Sequence, residues 1–248
     1  MISGTFLSQE NRRKAWVRRG ERVSAVYIST GIDIPYLREG SQCYLREAQS
    51  ENRSTSYDLY SIYDGDTLVC IDAKEPVRVA AEWVKETYRK MEGGEDTDVI
   101  VDERYQSLTA VRTPLKTKVL QDWSGPDACF VASPLRDRGQ NMAPQGREFI
   151  QVLGTSFVDE KGAYLPVVSS KALRDRLETL LGIYSSSTRL IIVVCRDDAK
   201  AFYDKEEVDP TFAMLFQQIQ GWDIPITVLL CTCDSEGMKV KKEIPFPR

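Results

Sequence analysis

"FIQVLGTSF" (residues 149–157), "SSKALRDRLETLLG" (169–182) and "RLIIVVC" (189–195) are the stretches that decide the fold. The first is mostly apolar, and its β-branched Ile150 and Val152 favour extended backbone, with one polar residue, Gln151, in the middle. The second places serine where a helix begins, sets Ala172, Leu173, Leu177, Leu180 and Leu181 on one helical face, and ends on Gly182. The third is a continuous apolar run of the kind found in central strands. Asp209-Pro210 then opens the helix "DPTFAMLFQQIQG" (209–221), and "ITVLLCTC" (226–233) reads as another buried strand. Strand, helix, strand, helix, strand predicts an α/β layer with right-handed crossovers. No GxGxxG or Walker-type loop accompanies it, so a nucleotide fold has no local support.

Upstream the pattern changes. "KAWVRR" (14–19), "RVSAVYI" (22–28), "QCYLREA" (42–48), "SYDLYSIY" (56–63) and "TLVCID" (67–72) are short β-rich runs with turn residues between them. Five such runs fit a small closed barrel of the OB type. Pro76 opens a helix with Val77, Ala80, Ala81, Val84 and Tyr88 on one face, ended by Gly93-Gly94. Residues 93–147, punctuated by proline and glycine, are expected to hold a hairpin and a long loop. The expected division is an OB-like barrel over 1–74 and an α/β domain over 75–248.

The chain has 248 residues, a net charge of −4 and no histidine. Without imidazole, Ser-His and Cys-His nucleophiles and most zinc sites are excluded, and an enzyme here would need carboxylates, lysine and a hard metal ion. Six cysteines without a CxxC pair point to reduced, buried thiols, and Cys231 and Cys233 to core packing. The opening residues carry no apolar signal core, and no apolar run approaches the roughly 18 residues of a membrane span, so the expected location is the cytoplasm, with no membrane partner. The charge is uneven: "NRRKAWVRRGER" (11–22) sets six basic residues against one acidic, a local +5. Arg12, Arg13, Lys14, Arg18, Arg19 and Arg22 around Trp16 are the candidate nucleic-acid-binding residues, pairing backbone electrostatics with base stacking.

Four segments, "GTFLSQENRRKAWV", "YISTGIDIPYLREGSQCYL", "RSTSYDLYSIYDGDTLVCIDAKEPVRVAAEWV" and "DDAKAFYDKEEVDPTFAMLFQQIQGWDIPITVLLCTCDSEGMKVKKEIPF", resemble the sugar fermentation stimulation protein family in order and spacing. The resemblance implies an N-terminal OB-like barrel, a C-terminal domain similar to PD-(D/E)xK nucleases, and an association with DNA binding and with regulation of sugar metabolism. Nuclease chemistry of that type needs an aspartate on one strand and, on the next, a glutamate and a lysine two residues apart. The carboxylates hold Mg²⁺, and the lysine positions the attacking water.

On this resemblance the aspartate falls on Asp127, in "SGPDACF", and the Glu-x-Lys pair falls on Gln151 and Leu153. An amide is a poor ligand for a hard ion, and leucine stabilises no phosphate. The family's charged "FPDAPTxRGxKH"-like stretch is here "YLPVVSSKALRDR", with Lys171, Arg174 and Arg176 restoring some positive charge. Ile32 stands where a basic residue is expected after "TG", and Val77 where an asparagine is expected.

The expectation is therefore a catalytically inactive DNA-binding pseudoenzyme with weak sequence specificity and a regulatory role, needing no cofactor. The enzyme alternative is a Mg²⁺-dependent nuclease with ligands relocated around Asp127, Glu148 or Asp159. A third reading is a protein-interaction module with neither activity, favoured by lost basic positions such as Ile32.

Overall fold

The computed structural model describes residues 1–48, 53–91, 97–102, 107–112, 147–182 and 188–246, without the side chains of 88–91, 97–102, 107–112 and 147. The N-terminal strands are β1 (Ile2–Asn11), β2 (Lys14–Arg19), β3 (Arg22–Tyr27), β4 (Gln42–Glu47), β5 (Tyr57–Asp64) and β6 (Thr67–Cys70). They form a sheet ordered β3-β2-β1-β4-β5-β6, and a parallel pairing of β3 with β5 closes the first five into a barrel. The ring is thus β1-β2-β3-β5-β4, the OB order. Phe6, Val17, Val26, Leu45, Leu59 and Ile62 fill it, and Phe157 from the following domain joins them.

One expectation needs correction here. The five runs read from the sequence do not close the ring: β1 does, and β6 adds to the edge of β5. β1 escapes a pattern search because it buries only Gly4 and Phe6 along ten residues.

Helix α1 (Glu75–Met91) follows, and then a hairpin of β7 (Thr97–Asp102) and β8 (Ser107–Arg112), as expected within 93–147. β8 pairs antiparallel with β9 (Arg147–Thr155). β10 (Val158–Asp159) and β11 (Gly162–Leu165) make a short hairpin, and β11 runs parallel to β13 (Phe202–Asp204). Helix α2 (Lys171–Gly182) leads to β12 (Thr188–Val194), and helix α3 (Pro210–Gly221) leads to β14 (Ile226–Cys233) and β15 (Met238–Glu243). The large sheet is ordered β15-β14-β12-β9-β8-β7, with β9, β12 and β14 parallel at its centre.

Local chemistry explains the helix starts. Asp209 caps α3 by accepting from the Phe212 amide at 3.1 Å, with Pro210 in the first turn. The Ser170 hydroxyl accepts from the Leu173 amide at 3.4 Å. Of the face predicted for α2, Leu177 and Leu180 are fully buried while Ala172 lies exposed, because the helix leans on the sheet through its second half.

The sheet separates two cores. Phe149 and Leu153 face α2 and α3, with Phe212 and Phe216, whereas Ile150 and Val152 face α1, with Val77, Ala80 and Val84. This period-two division places Gln151 on the α2–α3 face. Cys231 lies in the α1-side core and Cys233 packs against it.

Barrel and sheet are joined by main chain as well as side chains. The Cys70 amide donates to the Cys195 carbonyl at 3.0 Å, and the Cys195 amide donates to the Thr155 carbonyl at 2.8 Å. Among the described residues no helix is long and apolar enough to cross a membrane.

Candidate functional site

The basic run occupies the β1–β2 turn and the outer face of β2. Alternation buries Ala15 and Val17 in the barrel and turns Lys14, Trp16 and Arg18 outward. Arg12 and Arg13 sit in the turn, where Asn11 Oδ1 accepts from the Arg13 amide at 2.8 Å. Arg12 pairs with Asp33 at 2.9 Å. The Arg13 guanidinium donates to Tyr27 Oη at 3.2 Å and to the Ser29 carbonyl. It also lies across Gly31, whose φ of +65° favours glycine; a Cβ there would stand 2.5 Å from the guanidinium and push it aside. Arg19 donates to Ser24 Oγ at 3.2 Å and stacks 4.0 Å from the Tyr57 ring centroid. The side chains of Arg18 and Arg22 are exposed and make no ion pair or hydrogen bond among the described residues.

Two acids absent from the sequence reading temper this face. Glu10 pairs with Lys14 at 2.9 Å and accepts from Trp16 Nε1 at 3.0 Å. Lys14 in turn stands 4.9 Å from the Trp16 ring centroid, so one face of the indole is occupied from within. The hydrogen bond from Lys14 holds the Glu10 carboxyl below its ordinary range. Asp33 does for Arg12 what Glu10 does for Lys14. Neither pairing was visible in a linear count, because one depends on hairpin register and the other on a loop folding back to the turn.

The second set of predicted residues lies inside the protein. Gln151 is 2 % exposed, and its Nε2 donates to the Val152 carbonyl at 3.2 Å. Leu153 is wholly buried in the α2–α3 core. Gln151 is paired across the sheet with Leu190 on β12 and with Ser107 on β8, and β8, "SLTAVR", carries no carboxylate. Asp127 lies outside the described residues.

Glu148 falls on the opposite face of β9 from Gln151, so the two cannot share an ion. Its Oε1 accepts from Arg189 at 3.0 Å, and its Oε2 is buried without a partner among the described residues. Asp159 accepts from the Lys161 amide at 3.0 Å, from Lys205 at 3.2 Å and from the Tyr203 hydroxyl. No three His, Cys, Asp or Glu side chains among the described residues converge as a metal site would require. Among the described residues, a buried amide, an alkyl chain and two carboxylates already held by cations do not make a Mg²⁺ site.

Buried ions join the two halves near this region. Glu75, 1 % exposed at the start of α1, receives Arg46 of the barrel at 2.9 Å, Arg78 at 2.6 Å and Tyr60 Oη at 2.9 Å. Burial alone would raise its carboxyl, but the hydrogen bonds and charges of Arg78 and Arg46 outweigh it and hold the group below the ordinary 4.5. Asp72 beside it is raised by burial, despite the Lys74 amide and Arg46 at 3.2 Å. Of the replacement cations, Arg174 is held by Asp209 at 2.5 Å, Lys171 is exposed, and Arg176 is half-buried against a cavity between barrel and sheet that Ile32 also lines.

An OB-type barrel bonded to an α/β layer, with Gln151 and Leu153 packed into the layer's core, defines a two-part α/β fold. The chain is similar in sequence and fold to sugar fermentation stimulation proteins. A homologue of that name from Carboxydothermus hydrogenoformans is 24% identical over 229 residues, covering 92% of this chain and 88% of the relative. One from Clostridium botulinum (strain Langeland) is 37% identical over 83 residues, 33% of this chain and 36% of the relative. That match thus spans about a third of the relative's length. The fold is similar to that of Pyrococcus furiosus SfsA, solved in complex with Ca²⁺, with a TM-score of 0.72 and 16% identity over 100% of this chain and 96% of that one. No family model matches the sequence.

Proposed function

We propose that the protein binds nucleic acid, DNA in the first instance, with little sequence specificity, and does not cut it. The observation that carries this reading is the placement of the basic run on the β1–β2 turn and on β2, the side on which OB barrels hold oligonucleotides. Arg13, Arg18, Arg19 and Arg22 supply cations there that no acid side chain pairs among the described residues. Such contacts act on phosphate and so carry no base sequence. Residues 1–74 are the proposed binding domain and residues 75–248 the nuclease-like domain. The absence of cutting is supported by Gln151 and Leu153, which are packed as core. A regulatory role, exercised in the cytoplasm, accords with this and with the name that the relatives carry.

The test is fluorescence anisotropy of a labelled DNA duplex titrated with the protein over a series of KCl concentrations. Affinity is expected to fall linearly on a log–log plot, by roughly 0.9 per phosphate contacted. A flat response, or no binding at low salt, rejects the reading and leaves a protein-interaction module.

A metal-dependent nuclease is the second reading, favoured by the unpartnered Glu148 Oε2 and by the Ca²⁺ bound to the Pyrococcus furiosus protein. Mg²⁺- or Mn²⁺-dependent cleavage abolished by Asp127→Asn would establish it.

A further inference from the structure

Between barrel and sheet lies a cavity of about 230 Å³ with the β9 end, α1 and α2 as its other walls. We infer that it receives a single unpaired nucleobase from a strand held on the basic turn. The inference rests on the nucleic-acid reading above and goes beyond it by naming what part of the ligand enters the protein.

Size is the first argument. Pockets for drug-sized ligands start near ~300 Å³, so this one suits one ring system rather than a dinucleotide. Composition is the second. Ile71, Pro76, Phe157 and Leu173 offer apolar surface to the faces of a planar ring. Hydrogen-bonding groups stand among them. Thr30 lines the cavity, and its Oγ1 is buried with no partner among the described residues. Ser156 Oγ accepts from Tyr36 Oη at 2.6 Å, which leaves the serine's own hydrogen to be donated. Asp72 accepts from the Lys74 amide at 3.0 Å and from Arg46 at 3.2 Å and retains lone pairs for an exocyclic amino group. Flat apolar walls with mixed donors and acceptors match a nucleobase better than an aliphatic or purely anionic ligand.

Position is the third argument. Thr30 and Ile32, both in the cavity wall, flank Gly31, on whose backbone the Arg13 guanidinium lies. Arg12 is tied to Asp33, the next residue along. The β1–β2 turn that carries Arg12 and Arg13 therefore packs directly against the β3–β4 loop that lines the cavity. Arg176 lines the cavity from α2, where burial lowers its pKa, so a guanidinium in a poorly solvated setting faces the incoming nucleotide.

Extruding a base costs a few kcal/mol, least when it is already unpaired. The experiment compares a fully paired DNA duplex with the same duplex carrying one extra unpaired adenine, by anisotropy at low salt. The bulged duplex is expected to bind about tenfold more tightly, the ratio that 1.4 kcal/mol provides. Ile32→Trp fills the cavity, and Thr30→Val keeps the side-chain volume while removing the hydroxyl. Each should bring the preference towards one while paired-duplex affinity stays within about twofold, as expected for a site separate from the phosphate contacts. Equal affinity of the wild type for both duplexes, or an unchanged preference in both variants, overturns the inference while leaving duplex binding intact. If neither duplex binds, both readings fall together.

Discussion

Arg196, 4 % exposed at the end of the central strand β12, meets Asp64 at the end of barrel strand β5 at 3.1 Å. The two residues are 132 positions apart, and the same guanidinium bonds Asp198 at 2.6 Å and the Ser156 carbonyl at 3.3 Å. Burial would lower its pKa, but Asp198 and Asp64 outweigh that and raise it. Replacing Arg196 with methionine leaves Asp64 facing the junction without its cation. A loss of about 3 kcal/mol is expected, the lower end for breaking a buried pair from one side. Urea unfolding of the variant measures it, and a change below 1 kcal/mol would show that the junction does not depend on this pair.

Glu75 makes a pH-dependent contribution of known sign. Its folded pKa lies below the ordinary 4.5, so the stability it provides is complete above that value and is lost as pH falls through the lowered one. Glu75→Gln should therefore destabilise the protein at pH 7, by about 2 kcal/mol once the partial exposure of Arg46 and Arg78 is allowed for. The gap between variant and wild type should narrow in acid. Melting curves from pH 7 down to pH 3 give the profile, and a gap that widens would reverse the assignment.

Placing a glutamate and a lysine at positions 151 and 153 is expected to damage the fold before it creates any metal chemistry. Leu153→Lys puts an ammonium into the core formed by Phe149, Phe212 and Phe216. Even Leu153→Ala should cost about 2–5 kcal/mol. The double variant Gln151→Glu, Leu153→Lys is predicted to melt well below wild type and to leave a supercoiled plasmid intact with Mg²⁺. Robust metal-dependent nicking would show that these two positions alone had silenced the centre.

Arg18→Ala and Arg22→Ala remove cations that make no ion pair or hydrogen bond among the described residues. Stability should change by less than about 0.5 kcal/mol. DNA affinity should fall for every sequence alike, and the salt slope should shrink by about one per arginine. Unchanged affinity in the double variant would move the binding face elsewhere.

Gly154 approaches the Pro76 ring so closely that a Cβ would overlap it. Gly154→Ala should cost about 1–3 kcal/mol, because neither β9 nor the first turn of α1 can retreat without disturbing the Glu75 cluster. Calorimetry of the variant settles the size.

The large sheet was legible because its strands are long and apolar and its helices carry their own caps. β14 matches the run "ITVLLCTC" residue for residue, and Asp209 does cap α3. The pieces that escaped are short or half-exposed: β1, with two buried residues in ten, and β10, β11 and β13, of two to four residues each. The chemistry was less legible than the fold. Six basic residues look like one cationic patch in a line of text, yet Glu10 and Asp33 reach two of them only once the barrel closes. The Arg46–Glu75–Arg78 cluster draws on β4 and α1, and the cavity on five separate segments, so neither leaves a local motif.

The main-chain bonds running from Cys70 to Cys195 and from Cys195 to Thr155 have a thermodynamic consequence. The first crosses from barrel to sheet and the second continues the β9–β12 pairing, so separating the two parts breaks a main-chain hydrogen bond as well as side-chain contacts. The two parts should melt in a single cooperative transition rather than in sequence. The slot between them is then a fixed feature of the native state, and a ligand entering it pays no domain-closure entropy.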